Sequence, residues 1–93
     1  MRPNVLLIVL DSVRLKNTSI HNYNRETTPF LSEFGKKATV YNETRTNGKW
    51  SVPAHASLFT GYSAAEHKLY DPSSKLKSEQ TIFHELSEAG YQT

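Results

Sequence analysis

Six consecutive apolar residues, Val5 to Leu10, constrain the fold of this chain more than any other segment. Pro3 and Asn4 precede the run, and Asp11 ends it. A run that is apolar on both faces and rich in branched side chains is typical of an interior strand in a parallel sheet covered by helices. A short buried helix is the alternative that this pattern leaves open. The run therefore favours an α/β protein in which Asp11 follows a buried strand.

The rest of the pattern predicts helices separated by loops. Three helices are predicted, which begin near Pro29, Pro53 and Ser78. The signals are a proline in the first turn or a serine at the N-cap, and a glycine after the last turn. A stretch rich in Thr, Val and Tyr over 38–46 predicts a second strand. The predicted loops cover residues 16–27 and 62–77.

Composition excludes several classes of protein. The 93 residues suffice for one small domain, and the net charge of +2 argues against a dedicated nucleic-acid or membrane-surface module. The absence of cysteine excludes a disulfide framework and a thiolate metal site. The apolar run is shorter than the ~18 residues of a membrane span and the ~7 of a signal-peptide core. We therefore expect a cytoplasmic protein with neither nucleic acid nor a membrane as its partner.

A second segment, SVPAHASLFTG over residues 51–61, carries the candidate chemistry. Pro53 suits the first turn of a helix, so Ser51 is expected at the helix entrance. A helix N-terminus stabilises negative charge through its free N–H groups and its dipole. A hydroxyl at this position is well placed to meet a sulfate or phosphate ester, which makes Ser51 a candidate nucleophile. An ordinary N-cap serine is the alternative.

Asp11 is the candidate metal ligand. A carboxylate at the end of a buried strand is costly to bury unless it is paired or bound to a metal. Hard divalent cations prefer oxygen ligands of this kind. A helix N-cap or a solvated carboxylate is the alternative.

The sequence lacks the motifs of other phosphate-binding classes. The haloacid-dehalogenase-like pattern needs a second Asp two residues after Asp11, where this chain has Val13. A P-loop needs Ser or Thr after Gly-Lys, but Gly48 and Lys49 are followed by Trp50. The glycine-rich dinucleotide fingerprint is also missing.

Three segments together resemble the N-terminus of the sulfatase family, within the alkaline-phosphatase-like superfamily. They are RPNVLLIVLDSVR (2–14), NRETTPFLSEFGKKATVY (24–41) and WSVPAHASLFTGYSAAEH (50–67). The tail over 81–93 is similar to the helix and turn that precede the next strand in that family. The resemblance implies that residues 1–93 are the N-terminal part of a single three-layer α/β/α domain with an incomplete sheet. It also implies hydrolysis of small-molecule sulfate esters, or of phosphate esters as in relatives.

The resemblance implies roles for individual residues. Asp11 falls at the position of a metal ligand, and Ser51 falls at that of the nucleophile beside the metal. The cation in sulfatases is usually calcium. This chain has Ser12 where the family often has a second Asp, so Mg²⁺, Mn²⁺ and Zn²⁺ remain alternatives to Ca²⁺.

His55 departs from the family pattern, which has Arg at this position. In the family the nucleophile is a Cys or Ser that is oxidised to formylglycine, within a signature that includes the Arg. Histidine lacks the guanidinium fork and its permanent charge, which argues against formylglycine at Ser51. An unmodified serine can attack phosphorus when a metal activates it. We predict that His55 faces the site as a catalytic residue with Ser51; a helix-surface histidine is the alternative.

The family completes its metal site with later Asp, His or Asn ligands, which we expect after Thr93. We therefore expect a hydrolase whose N-terminal portion is inactive alone because the missing C-terminal portion of the domain carries these ligands. The alternative is a truncated non-catalytic remnant or an interaction module that pairs an exposed sheet edge with a partner.

Overall fold

The computed structural model describes residues 2–93, and the regular secondary structure within them is helical. The chain divides into two compact units, Met1–Thr44 and Arg45–Thr93. The first unit contains α1 (Pro29–Gly35), and the second contains α2 (Ser51–Thr60), α3 (Ala64–His67) and α4 (Ile82–Glu88). Short 3₁₀ helices cover Leu15–Asn17, Ser19–His21 and Ser78–Gln80. Over residues 2–93 no helix combines the length and the apolar content that crossing a membrane requires.

Hydroxyl groups connect the start of α1 to the 3₁₀ turn before it. Ser19 Oγ donates to a carboxylate oxygen of Glu26 at 2.6 Å and accepts from the Thr28 N–H at 2.9 Å. Thr28 Oγ1 in turn accepts from the Ile20 N–H at 3.2 Å. Pro29 fills the first helical position, where no N–H donor is needed. The predicted start of α1 is confirmed, although the Thr28 hydroxyl caps the neighbouring turn rather than its own helix.

The second helix, α2, begins at Ser51, two residues before the proline that predicts it. Gly61 ends α2 with φ 71°, a left-handed conformation that glycine adopts without a steric penalty. Its N–H donates to the Ser57 carbonyl at 2.9 Å. The predicted glycine C-cap is therefore confirmed.

The core of the second unit lies between α2 and the segments that follow it. Ala56 on α2 is 3% exposed, and Leu69, two residues after α3, is 8% exposed. Phe59 on α2 contacts Phe83 on α4, with ring centroids 5.1 Å apart and planes inclined by 59°. The helix α2 therefore packs against both α3 and α4.

The last helix begins later than predicted. Ser78 starts a 3₁₀ turn, and α4 begins at Ile82. Thr81 is its N-cap, and the Thr81 hydroxyl accepts from the His84 N–H at 3.4 Å. Gly90 follows with φ 86° and ends the helix as predicted. The predicted loop over 62–77 also differs, since it contains the short helix α3.

Neither predicted strand forms within residues 2–93. Val5–Leu10 has no regular secondary structure, and its side chains are 46–84% exposed. The stretch over 38–46 is irregular as well. A strand is stable when a neighbouring strand pairs with its backbone and another layer covers its apolar face. The described residues provide neither a paired strand nor a covering layer for Val5–Leu10. The predicted α/β class, with its three-layer α/β/α arrangement, is therefore wrong for this chain, whose structure is helical.

Candidate active site at the start of the second helix

Ser51 is the first residue of α2, and its side chain is exposed. Trp50 before it is extended, with φ −154° and ψ 175°, and serves as the N-cap residue. The first N–H groups of this ten-residue helix have no intrahelical acceptor, so this end carries partial positive charge. The predicted position of Ser51 at a helix entrance is confirmed, and its role as nucleophile remains a prediction.

His55 lies one turn after Ser51, with its ring beside the first turn of α2. Its Nδ1 is 2.8 Å from the Ser51 carbonyl oxygen. A carbonyl oxygen only accepts, so Nδ1 carries the hydrogen, and Nε2 of the neutral ring holds the lone pair. The ring also contacts Phe59, with centroids 5.8 Å apart. The structure thus fixes the imidazole near Ser51 with Nε2 as its proton-accepting atom.

Gly48 approaches the first turn of α2 more closely than a side chain would permit. A Cβ at this position would overlap the Ala54 backbone nitrogen and would lie 2.8 Å from the Pro53 carbonyl carbon. The sequence indicates only a turn at Asn47-Gly48 and misses this role of the glycine. Gly48 therefore fixes the position of the helix entrance that carries Ser51.

A second serine–histidine pair was not predicted. Ser57 on α2 is buried, and its Oγ lies 3.0 Å from Nε2 of His67. The sequence gives no signal for this pair, because the two residues lie on different helices separated by the turn at Gly61, and no period within one element relates them.

Asp11 lies in the first unit, whereas Ser51 and His55 lie in the second. Asp11 occupies an exposed turn in which Ser12 has φ 60°. Its carboxylate is a suitable oxygen ligand for a hard cation. Among residues 2–93, however, no group of three or more His, Cys, Asp or Glu side chains could hold a metal ion. The described residues alone therefore do not form a complete metal site.

Two carboxyl groups of the second unit have lowered pKa values, and both lie outside the candidate site. The hydroxyl and the N–H of Ser63 donate to Glu66 and lower the pKa of its carboxyl group. Ser73 lowers the pKa of Asp71 in the same way, from its hydroxyl at 2.6 Å and its N–H at 2.8 Å. Both groups therefore serve local turns as ionised acceptors.

A protein-family model described as Sulfatase matches residues 3–93. The match contains all three predicted site residues, Asp11, Ser51 and His55. Searches of the curated proteins and of the solved structures return no significant match.

Proposed function

The chain belongs to the sulfatase family, and we propose that residues 1–93 are the N-terminal portion of one domain of a metal-dependent hydrolase. The family acts on sulfate esters and typically uses a divalent metal, so the chain is sulfatase-like. The family match over residues 3–93 is the observation that supports this proposal. In this proposal the portion alone is inactive, because its residues do not complete a metal site.

Ser51 is the proposed nucleophile. Its Oγ gives its proton to His55 and attacks sulfur or phosphorus, the bond to the ester oxygen breaks, and the alcohol leaves with that proton. Water then hydrolyses the ester formed on Ser51, which releases sulfate or phosphate and restores the serine. The positive end of α2 offsets the negative charge of the bound ester. The exposed position of Ser51 at the first residue of a ten-residue helix supports this role.

His55 is the proposed proton carrier beside Ser51. Its Nδ1–H bond to the Ser51 carbonyl supports this role, because it leaves Nε2 to take and return a proton. The family has Arg at this position, and histidine supplies neither the fork nor the constant charge. We therefore propose that Ser51 stays unmodified and that phosphate esters are the alternative substrates to sulfate esters.

Asp11 and Ser51 are each proposed as a ligand of a divalent cation, as the positions they match in the family imply. Ca²⁺ is the first choice, with Mg²⁺, Mn²⁺ or Zn²⁺ as alternatives, since both ligands are oxygen donors. When bound, such a cation supplies positive charge to the ester oxygens. The remaining ligands come from outside residues 2–93. The small net charge of +2 argues against nucleic acid or a membrane as partner. Small-molecule esters are the proposed substrates, and the proposed location is cytoplasmic.

Turnover assays test this function. The protein encoded by the whole reading frame should hydrolyse an aryl sulfate or an aryl phosphate when Ca²⁺, Mg²⁺, Mn²⁺ or Zn²⁺ is added. Ser51→Ala should lower kcat by about 10³-fold or more, as loss of a nucleophile does. Ser87→Ala is the matched control, since Ser87 is an exposed helical serine on α4. Turnover by the purified 93-residue chain alone would contradict its proposed inactivity.

Mass spectrometry tests the state of Ser51. In protein from the native host, the peptide that contains Ser51 should have the mass of an unmodified serine peptide. A mass lower by one hydrogen molecule would indicate formylglycine and contradict the proposal.

The alternative, a non-catalytic remnant or interaction module, is favoured by the exposed apolar run over residues 5–10. The sheet edge first expected for it does not exist within residues 2–93. A reading frame that stops after Thr93 would support this alternative, and a later motif of metal ligands would support the hydrolase.

A further inference from the structure

The buried Ser57–His67 pair lies entirely within the second unit. Ser57 is 8% exposed, and its Oγ is 3.0 Å from Nε2 of His67, the last residue of α3. The other ring nitrogen of His67, Nδ1, accepts from the Leu69 N–H at 3.0 Å. The imidazole therefore bridges α2 and the segment that leaves α3.

The contact with Leu69 determines where the imidazole proton lies. A backbone N–H only donates, so Nδ1 of His67 has no hydrogen. The neutral ring then carries its hydrogen on Nε2, which donates to the Ser57 hydroxyl oxygen. Lys68 makes this geometry possible, because its left-handed conformation, with φ 55° and ψ 27°, turns the chain between His67 and Leu69.

This proton placement is the opposite of that in a catalytic serine–histidine pair. A general base must face the serine hydroxyl with a lone pair that can take the proton. His67 faces Ser57 with an N–H group. Since Ser57 is also buried, its hydroxyl is not presented to a substrate.

We propose that His67 is a positioning residue. As the Nε2–H tautomer, it donates to Ser57 and accepts from Leu69, and these two hydrogen bonds connect the segment after α3 to α2 and hold α2 in place. We call this pair of hydrogen bonds the clamp. Ser51 is the first residue of the same helix, six positions before Ser57. The consequence for Ser51 rests on the proposed function, whereas the clamp itself does not.

Nitrogen NMR of the 93-residue chain tests the clamp directly. At neutral pH, long-range ¹H–¹⁵N spectra should show Nε2 of His67 as a protonated nitrogen and Nδ1 as an unprotonated one. His55 should show the reverse, because its Nδ1 donates to a carbonyl oxygen. An Nδ1–H tautomer at His67 would overturn the proposal.

Two amide variants separate the two hydrogen bonds of His67. In His67→Gln the side-chain NH₂ can take the place of Nε2 and donate to Ser57. In His67→Asn the side-chain oxygen can take the place of Nδ1 and accept from Leu69, but nothing reaches Ser57. Ser57→Ala removes the same contact from the other side, and Ser87→Ala is the matched control. Circular dichroism should show the same helix content in every variant.

Amide hydrogen exchange along α2 is the readout. Ser57→Ala and His67→Asn should each speed exchange about two- to tenfold, as loss of one hydrogen bond predicts. His67→Gln should restore most of the protection. Adding Ser57→Ala should speed exchange in the Gln variant and change nothing in the Asn variant. Equal exchange in Ser57→Ala and Ser87→Ala, or a further loss when Ser57→Ala is added to His67→Asn, would overturn the clamp.

A chemical probe and kinetics complete the test. An aryl fluorophosphonate should leave Ser57 unlabelled, and its labelling would overturn the proposal. In the whole protein His67→Asn should lower kcat with little change in KM, and His67→Gln should restore kcat. The NMR and exchange results do not depend on turnover, so a whole protein without hydrolase activity would contradict the proposed function alone.

Discussion

At the residue scale, two histidines of the second unit carry their protons on opposite ring nitrogens. His55 donates from Nδ1 to a carbonyl oxygen, whereas His67 accepts at Nδ1 from a backbone N–H. In each histidine, the backbone group that contacts Nδ1 thus decides whether Nε2 of the neutral ring carries a lone pair or a hydrogen. The Nε2 atom of a neutral His55 ring therefore holds a lone pair, whereas Nε2 of His67 donates a hydrogen to Ser57.

Replacing Gly48 tests whether it positions the start of α2. Gly48→Ala should lower the unfolding free energy of the second unit by about 1–3 kcal/mol, because the new Cβ meets the backbone of Pro53 and Ala54. The measurement is urea unfolding followed by Trp50 fluorescence. Gly61→Ala is the control, because a Cβ at Gly61 meets no neighbouring atom and only its φ of 71° is unfavourable for alanine. This variant should lower the unfolding free energy by about 1 kcal/mol. A shift of the native Trp50 emission in the control but not in Gly48→Ala would contradict this role.

The contact between Ser63 and Glu66 predicts a pH dependence. Ser63 lowers the pKa of the Glu66 carboxyl group in the folded chain through its hydroxyl and its N–H. The stability from this contact is therefore fully present above the unfolded-state pKa and is lost as pH falls through the lower folded-state pKa. Ser63→Ala should raise the Glu66 pKa part of the way toward its ordinary value, because the N–H contact remains. Carboxyl ¹³C titration measures this shift, and an unchanged titration would rule out the hydroxyl as its main cause.

At the element scale, short-range chemistry places the helix ends. Pro29 begins α1, Gly61 ends α2 and Gly90 ends the turn after α4, each because its backbone suits that position whatever lies around it. The contact between α2 and α4 depends instead on two aromatic side chains from distant parts of the chain. Their rings, Phe59 and Phe83, lie 5.1 Å apart in a tilted arrangement.

A double-mutant cycle measures the contact between α2 and α4. Phe59→Ala and Phe83→Ala should each lower the unfolding free energy by about 1–2 kcal/mol, less than the 3–5 kcal/mol of a fully buried Phe, because Phe83 is 43% exposed. The double variant should lose about 0.5–1.5 kcal/mol less than the sum of the two, which is the direct ring–ring term. Losses that add within about 0.3 kcal/mol would show that the rings do not interact.

At the scale of the whole molecule, the exposed apolar run is the main departure from a well-buried fold. All six side chains of Val5–Leu10 are at least 46% exposed. A short β-prone segment without charge or proline is a site of self-association when it is accessible to water. We therefore expect the run to promote self-association of this chain.

Charged substitutions in the run test this prediction. Leu6→Lys with Ile8→Lys should reduce self-association in sedimentation velocity experiments at rising protein concentration, while the helix content stays the same. Asn4→Lys with Ser12→Lys adds the same charge at exposed polar positions and serves as the control. Equal self-association in both double variants would mean that net charge, rather than the apolar run, controls it.

The sequence predicts the second helix better than it predicts the sheet. Ser51 lies at a helix entrance and His55 one turn later, because Pro53 and Gly61 define that helix locally. The strands fail because an apolar run shows only that burial would be favourable, and nothing in residues 2–93 covers or pairs with it. The true cap of α4, Thr81, also escapes prediction, since Ser78 is an equally suitable residue type.

The sequence alone determined the helix boundaries set by proline and glycine, the place of Ser51 at the start of α2, and the segments by which the chain resembles its family. Each depends on the conformation of a few adjacent residues or on the residue types themselves. Only the tertiary structure decided the exposure of Val5–Leu10 and the pairing of His67 with Ser57. Both depend on which distant atoms the folded chain brings to each group, because a strand needs a partner and a buried hydroxyl needs a hydrogen-bonding group beside it.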